Sequence, residues 1–153
     1  MNKELYKTEL QINTILFNIS IFITFVAMSM MLIEFFTRGA FPSAKIGTFY
    51  IGVLLIYSLH KEALRWISEK EWTQNKRKGE YFVYTWFILT PLLYLINFLT
   101  KDYFAYNDQG VLLNALPEIT VTSLEVGGVF IVTRILKLIF SIRHSKNTPS
   151  SSL

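Results

Sequence analysis

Four stretches of this chain are too long and too apolar for an ordinary small water-soluble domain, and they constrain the fold more than any motif does. The first, 16–36, reads LFNISIFITFVAMSMMLIEFF, with Glu34 as its only charge. It matches the roughly 20 residues that a helix needs to cross a hydrocarbon layer about 30 Å thick. Lys3 and Lys7 precede it as in a secretory signal, but a signal's apolar region is only about 7–15 residues long. No convincing cleavage site precedes Arg38, so the run is expected to stay as an anchor behind a cytoplasmic tail, 1–15.

The second span, 44–60, follows Pro42 and Ser43, a helix-start pair in which Ser43 is expected to cap. Its core, 46–59, is short for a crossing, so the helix should take in Ala44 and Lys45 and continue past His60. Leu59, Ala63, Trp66, Ile67 and Lys70 then form a helical stripe, which predicts a cytoplasmic helical extension leading into a basic loop, together 61–80. The third span, 81–99, contains Pro91, expected to kink it, with Thr90 or a neighbouring helix helping to satisfy the freed carbonyl. Residues 100–120 read as an external interfacial loop, with a short re-entrant element left open. The fourth span, 121–142, is the least apolar, and 143–153, RHSKNTPSSSL, reads as a disordered cytoplasmic tail.

The predicted fold is therefore all-α: an integral membrane four-helix bundle whose second helix extends into the cytoplasm. Helices satisfy every backbone group internally, as a lipid environment demands. Composition agrees, being 52% hydrophobic and only 17% charged, against about a quarter charged in soluble domains. The net charge of +4 reads as loop charge rather than as a nucleic-acid surface. With four crossings, Arg38, Lys45 and Lys101 alone of the 15 Lys and Arg fall on the side opposite the termini. Basic short loops stay in the cytoplasm, so both termini are expected there, in a multi-pass cell-membrane protein. Trp66, Trp72, Tyr81, Tyr84 and Trp86 gather at one predicted boundary, and Phe41, Phe49, Tyr103, Phe104 and Tyr106 toward the other, as interfacial aromatics do.

The absence of cysteine removes disulfides, thiolate metal sites and cysteine nucleophiles. Two histidines, His60 and His144, suggest no metal centre, and no cofactor is expected. Glu125 is the sharpest intramembrane candidate: it could bind a cation, relay a proton or pair with Lys45 or Lys101, or it could lie at the interface. Arg134 could meet a substrate or a lipid phosphate, or snorkel to the headgroups alongside Lys137. His60, Glu62 and Arg65, with Arg77, Lys78 and Glu80, form a charged cluster suited to loop pairing, headgroup contact or a docked partner. Ala44, Thr48 and Gly52 recur every fourth residue, as do Ser123 and Gly127, predicting faces for close helix approach within the chain or between copies.

The leading functional expectation is a subunit, assembly factor or scaffold of a membrane complex, acting through its helices and charged loop. Its expected partners are membrane lipids and a protein or a second copy, and not nucleic acid. A small oligomeric transporter, channel or holin-like pore using Glu125, Arg134 and the Pro91 kink is the alternative. A lipid-modifying enzyme would need His60 with Glu62 or Glu80 as acid–base groups, and nothing supplies a nucleophile or metal set to complete it.

Overall fold

The computed structural model describes residues 3–43, 45–67 and 80–147. Among them the chain is all-helical, with α1 (Lys3–Phe36), α2 (Ile46–Ile67), α3 (Glu80–Leu99), a 3-10 turn at Tyr103–Ala105, and α4 (Ala115–Asn147). The described residues form no strand beyond a lone bridge between Tyr106 and Leu112. Three helices, α1, α3 and α4, are long and apolar enough to cross a membrane. In α2 the apolar core gives way to His60, Lys61 and Glu62 before a comparable length is reached.

The helix limits correct the sequence reading in four places. The expected tail 1–15 is helical from Lys3, because good helix formers run unbroken into the apolar stretch. At the start of α2, Lys45 adopts a left-handed conformation (φ 61°), so the helix begins at Ile46. Ser43 caps nothing with its side chain: its hydroxyl donates to Glu118 Oε2 at 3.4 Å. Finally, α4 starts at Ala115 rather than near 121 and runs through Arg143 to Asn147, into the tail expected to be disordered. Pro117 lies in its first turn, where a missing N–H costs little, and the next helix breaker in the chain is Pro149. The basic loop segment 68–79, with Arg77 and Lys78, lies outside the described residues, as does Ala44.

Helices α1 and α3 end alike. After α1, Arg38 N–H donates to Phe35 O and Gly39 N–H to Glu34 O; after α3, Lys101 N–H donates to Phe98 O and Asp102 N–H to Asn97 O. These paired bonds close a Schellman turn, which needs a left-handed residue just past the helix. Arg38 (φ 54°) and Lys101 (φ 53°) fill that position without glycine's freedom, each adding a cation at a helix C-terminus.

Packing follows α1 on α2, α2 on α4 and α4 on α3, with lighter contact between α1 and α4. Side chains tie α3 to the other two helices. Trp86 is fully buried and its Nε1 donates to the Tyr50 hydroxyl at 3.1 Å. Phe17, Tyr57 and Phe82 form a ring triangle with centroids 5.7–6.4 Å apart. The outward faces carry exposed large apolar side chains, among them Phe22, Phe25, Ile88, Phe98 and Leu124, far more than a monomeric soluble surface presents. Helix α3 continues through the exposed Pro91, with the Thr90 hydroxyl donating to Trp86 O at 2.9 Å.

Candidate functional site

The polar groups gather at the two ends of the helices. At the end carrying the α1–α2 and α3–α4 connections, Arg38 organises the loops. Its Nε donates to Tyr106 O and its Nη2 to Asn107 O, both at 2.8 Å, while Nη1 meets Asp108 Oδ1 at 2.5 Å. The guanidinium carbon also lies 4.4 Å from the Tyr103 ring centroid. A planar fork of donors is what lets one side chain hold three acceptors and stack at once. Asn107 Oδ1 accepts from the N–H groups of Gln109 and Val111, and Leu113 N–H donates to Ala105 O, so the α3–α4 connection is a folded turn.

Beneath it sits a second polar group. Glu34 is buried, and its Oε2 accepts the Ser43 N–H at 2.8 Å. Glu118, in the first turn of α4, receives the Ser43 hydroxyl. A cleft of about 240 Å³ opens beside these residues between the starts of α2 and α4, lined by Lys45, Thr48, Asn114, Glu118, Thr122 and Glu125 over an apolar floor of Met31 and Val121. Glu125 is exposed in the cleft and Lys45 stands on its opposite wall.

At the other end, Glu80 and Arg134, assigned to separate clusters by sequence, form an ion pair joining the first residue of α3 to α4. Tyr84 adds its hydroxyl to Glu80 at 3.4 Å, and the Arg134 guanidinium stacks 5.0 Å from the Phe130 ring. Nine residues apart on one helix, Glu125 and Arg134 do not meet, and Lys137 is exposed. His60 Nε2 lies 3.6 Å from the Glu9 carboxylate of α1, within ion-pair range and beyond a hydrogen bond. Glu62 is buried and lines a cavity of about 50 Å³ between α2, α3 and α4, with Tyr57, Ser58, Lys61 and Thr133. Arg65 lies on α2 one turn after Lys61.

The small-residue faces differ in what they touch. A Cβ on Gly52 would have no neighbour within 4 Å and Thr48 is exposed, so this face is not a seam inside the chain. The close approach of α2 falls at Gly47, whose added Cβ would stand 2.5 Å from Thr122 Oγ1 and 2.9 Å from Met31 Cε. Of the two expected uses of the Thr48–Gly52 face, packing within the chain is excluded; a four-residue repeat does not say which face turns inward. On α4, Ser123 is buried and Gly127 lies against Phe87, 3.0 Å from where a Cβ would sit.

Sequence reasoning gave Arg38, Glu34, Ser43 and Glu118 no part in a joint polar site. The available signal was the turn-forming NDQG string beyond the third span, which marks a folded loop that could recruit a basic residue. Among the described residues no three His, Asp or Glu side chains are grouped to hold a metal ion. No known protein family, curated protein or solved structure matches this chain.

Proposed function

We propose that this chain is a cell-membrane protein of four crossings, a membrane four-helix bundle with both termini in the cytoplasm, that serves as a subunit, assembly factor or scaffold of a membrane complex. The observation that carries the topology is the grip of Arg38 on residues 106–108. Arg38 follows α1 and its partners follow α3, so both connections lie on one side of the bilayer. The chain between them must cross an even number of times. With α3 read as crossing once, this supports a crossing by α2 as well, despite its polar lower end. At 22 residues, α2 is about 33 Å long, enough to span, and the Lys61 ammonium lies over the Tyr57 ring. The excess of basic residues beyond the other ends then sets the termini in the cytoplasm.

An interaction role is supported by how the charges are used. Arg38, Arg134 and Glu34 are engaged in holding helices and loops together rather than converging on a chamber, and the cavity between α2, α3 and α4 is about 50 Å³. Thr48 and Gly52 are exposed on α2, and nothing lies within 4 Å of where a Gly52 Cβ would sit, a small-residue face suited to a partner's transmembrane helix. Extraction in mild detergent is expected to yield a species heavier than the monomer, dissociated by Gly52→Leu, which puts a bulky side chain on that face. A lone wild-type monomer with no crosslinked partner in cells would overturn the reading. The cleft at Glu125 favours a second reading, an oligomeric transporter or pore; unchanged flux in vesicles carrying Glu125→Gln would remove it.

A further inference from the structure

We infer that the cleft between the starts of α2 and α4 binds an ethanolamine phosphate group, the headgroup of a zwitterionic aminophospholipid. This rests on the membrane reading above, which sets this end of the helices at the depth of the lipid headgroups. Three features carry the assignment. The walls bear opposite charges: Lys45 at the start of α2, and Glu118 and Glu125 on α4. Seven residues on one helix set the two carboxylates about 10 Å apart along the axis, so the negative wall extends from the rim inward. Among the described residues no ion pair engages Lys45 or Glu125. Two opposite charges that face one cleft without neutralising each other suit a ligand carrying both signs.

The second feature is the type of polar group. Thr48, Thr122 and Asn114 add hydroxyl and amide oxygens to the carboxylates, all acceptors for N–H donors. Among the described residues no aromatic ring lines the cleft. A primary ammonium has three N–H donors to give such a wall, whereas a trimethylated ammonium has none and is characteristically held by aromatic faces. The chemistry therefore favours ethanolamine over choline, with the phosphate toward Lys45. The third feature is the apolar lining: Met31 is buried beside the cleft, while Val121 is exposed on the outer surface of α4, where acyl chains would lie. The volume of about 240 Å³ is many times what one water requires.

Native mass spectrometry of the full chain, released from mixed-lipid nanodiscs, tests this on the wild-type protein. The lipids are equimolar dioleoyl species whose headgroup nitrogen carries zero, one, two or three methyl groups. Retention should fall stepwise with methylation, with the ethanolamine lipid favoured over the choline lipid by about tenfold, as for one hydrogen bond to a charged group. Glu125→Gln should reduce that preference toward parity, while Lys101→Gln, outside the cleft, should leave it intact. Equal retention of all four lipids by the wild-type chain, or a preference unaltered in Glu125→Gln, would overturn the assignment. Free phosphoethanolamine supplies a further arm. Displacement of the lipid at millimolar concentration assigns the site to the headgroup alone, and persistence of the lipid assigns it to headgroup and chains together; both support the chemistry. Failure of the membrane reading would look different, as a chain that remains dispersed in buffer without detergent or lipid.

Discussion

Two glycines five residues apart on α2 should respond in opposite ways to the same methyl group. Replacing glycine by alanine in a helix gains about 0.8–1 kcal/mol of intrinsic propensity. At Gly52 nothing lies within 4 Å of the new Cβ, so Gly52→Ala should keep that gain. At Gly47 the methyl would stand 2.5 Å from Thr122 Oγ1 on α4 and 2.9 Å from Met31 Cε on α1. Met31 can swing its terminal methyl aside, but Thr122 is short and β-branched, so α2 and α4 must move apart. Overpacking of this kind costs about 1–3 kcal/mol, and Gly47, the second residue of α2, keeps little of the interior propensity gain, leaving Gly47→Ala destabilised by about 2 kcal/mol net and separated from Gly52→Ala by about 3 kcal/mol. Equilibrium unfolding in mixed micelles, followed by circular dichroism, would measure both. Thr122→Ala removes the obstructing atom, so the Gly47→Ala penalty should shrink in that background, a coupling that a double-mutant cycle isolates. Equal shifts for the two glycines, or strict additivity with Thr122→Ala, would refute the close approach of α2 and α4.

The remaining expectations concern single contacts. Arg134→Ala should destabilise by about 1 kcal/mol because it strips Glu80 of its partner, and the charge-swapped double variant Glu80→Arg with Arg134→Glu should recover part of the loss in the same assay. Arg38→Lys keeps the charge but not the fork that binds Tyr106, Asn107 and Asp108; faster hydrogen exchange at 103–113, with exchange in α3 unchanged, is the expected result. Trp86→Phe removes the donor to Tyr50 and should cost about 1–2 kcal/mol, read as a lower unfolding midpoint.

The helices were legible because an apolar run announces itself regardless of its neighbours. Leu16 to Phe36 reads as one element on composition alone, and so does 81–99. The limits were not legible, since they depend on where a breaker next falls and not on where hydrophobicity fades. Thus α1 extends back to Lys3 and α4 forward to Asn147 through residues too polar for a membrane core. Lys45 delays the start of α2 to Ile46 by adopting a positive φ that its residue type gives no reason to expect.

The polar groups were harder. Glu125 and Arg134 drew attention as charges inside an apolar run, yet the partner of Arg134 is Glu80, at the far end of another helix. Arg38 looked like one of three stray cations in an external loop, while its guanidinium holds that end of the fold together. Such pairings join residues dozens of positions apart, and only the packing of the helices brings them into reach. The inward face of α2 was hidden for the same reason: small residues at Thr48 and Gly52 and at Gly47 are equally visible in sequence, and only the helices packed against α2 distinguish them.

The most direct test of the account is the side on which each connection lies. The chain has no native cysteine, so single substitutions Ala40→Cys, before α2, and Asn75→Cys, after it, can each be labelled in intact cells with a membrane-impermeant maleimide. Four crossings predict labelling of residue 40 from outside, and of residue 75 only after the membrane is permeabilised. Labelling of residues 40 and 75 from the same side would mean that α2 does not cross and would contradict the topology on which the proposed function stands.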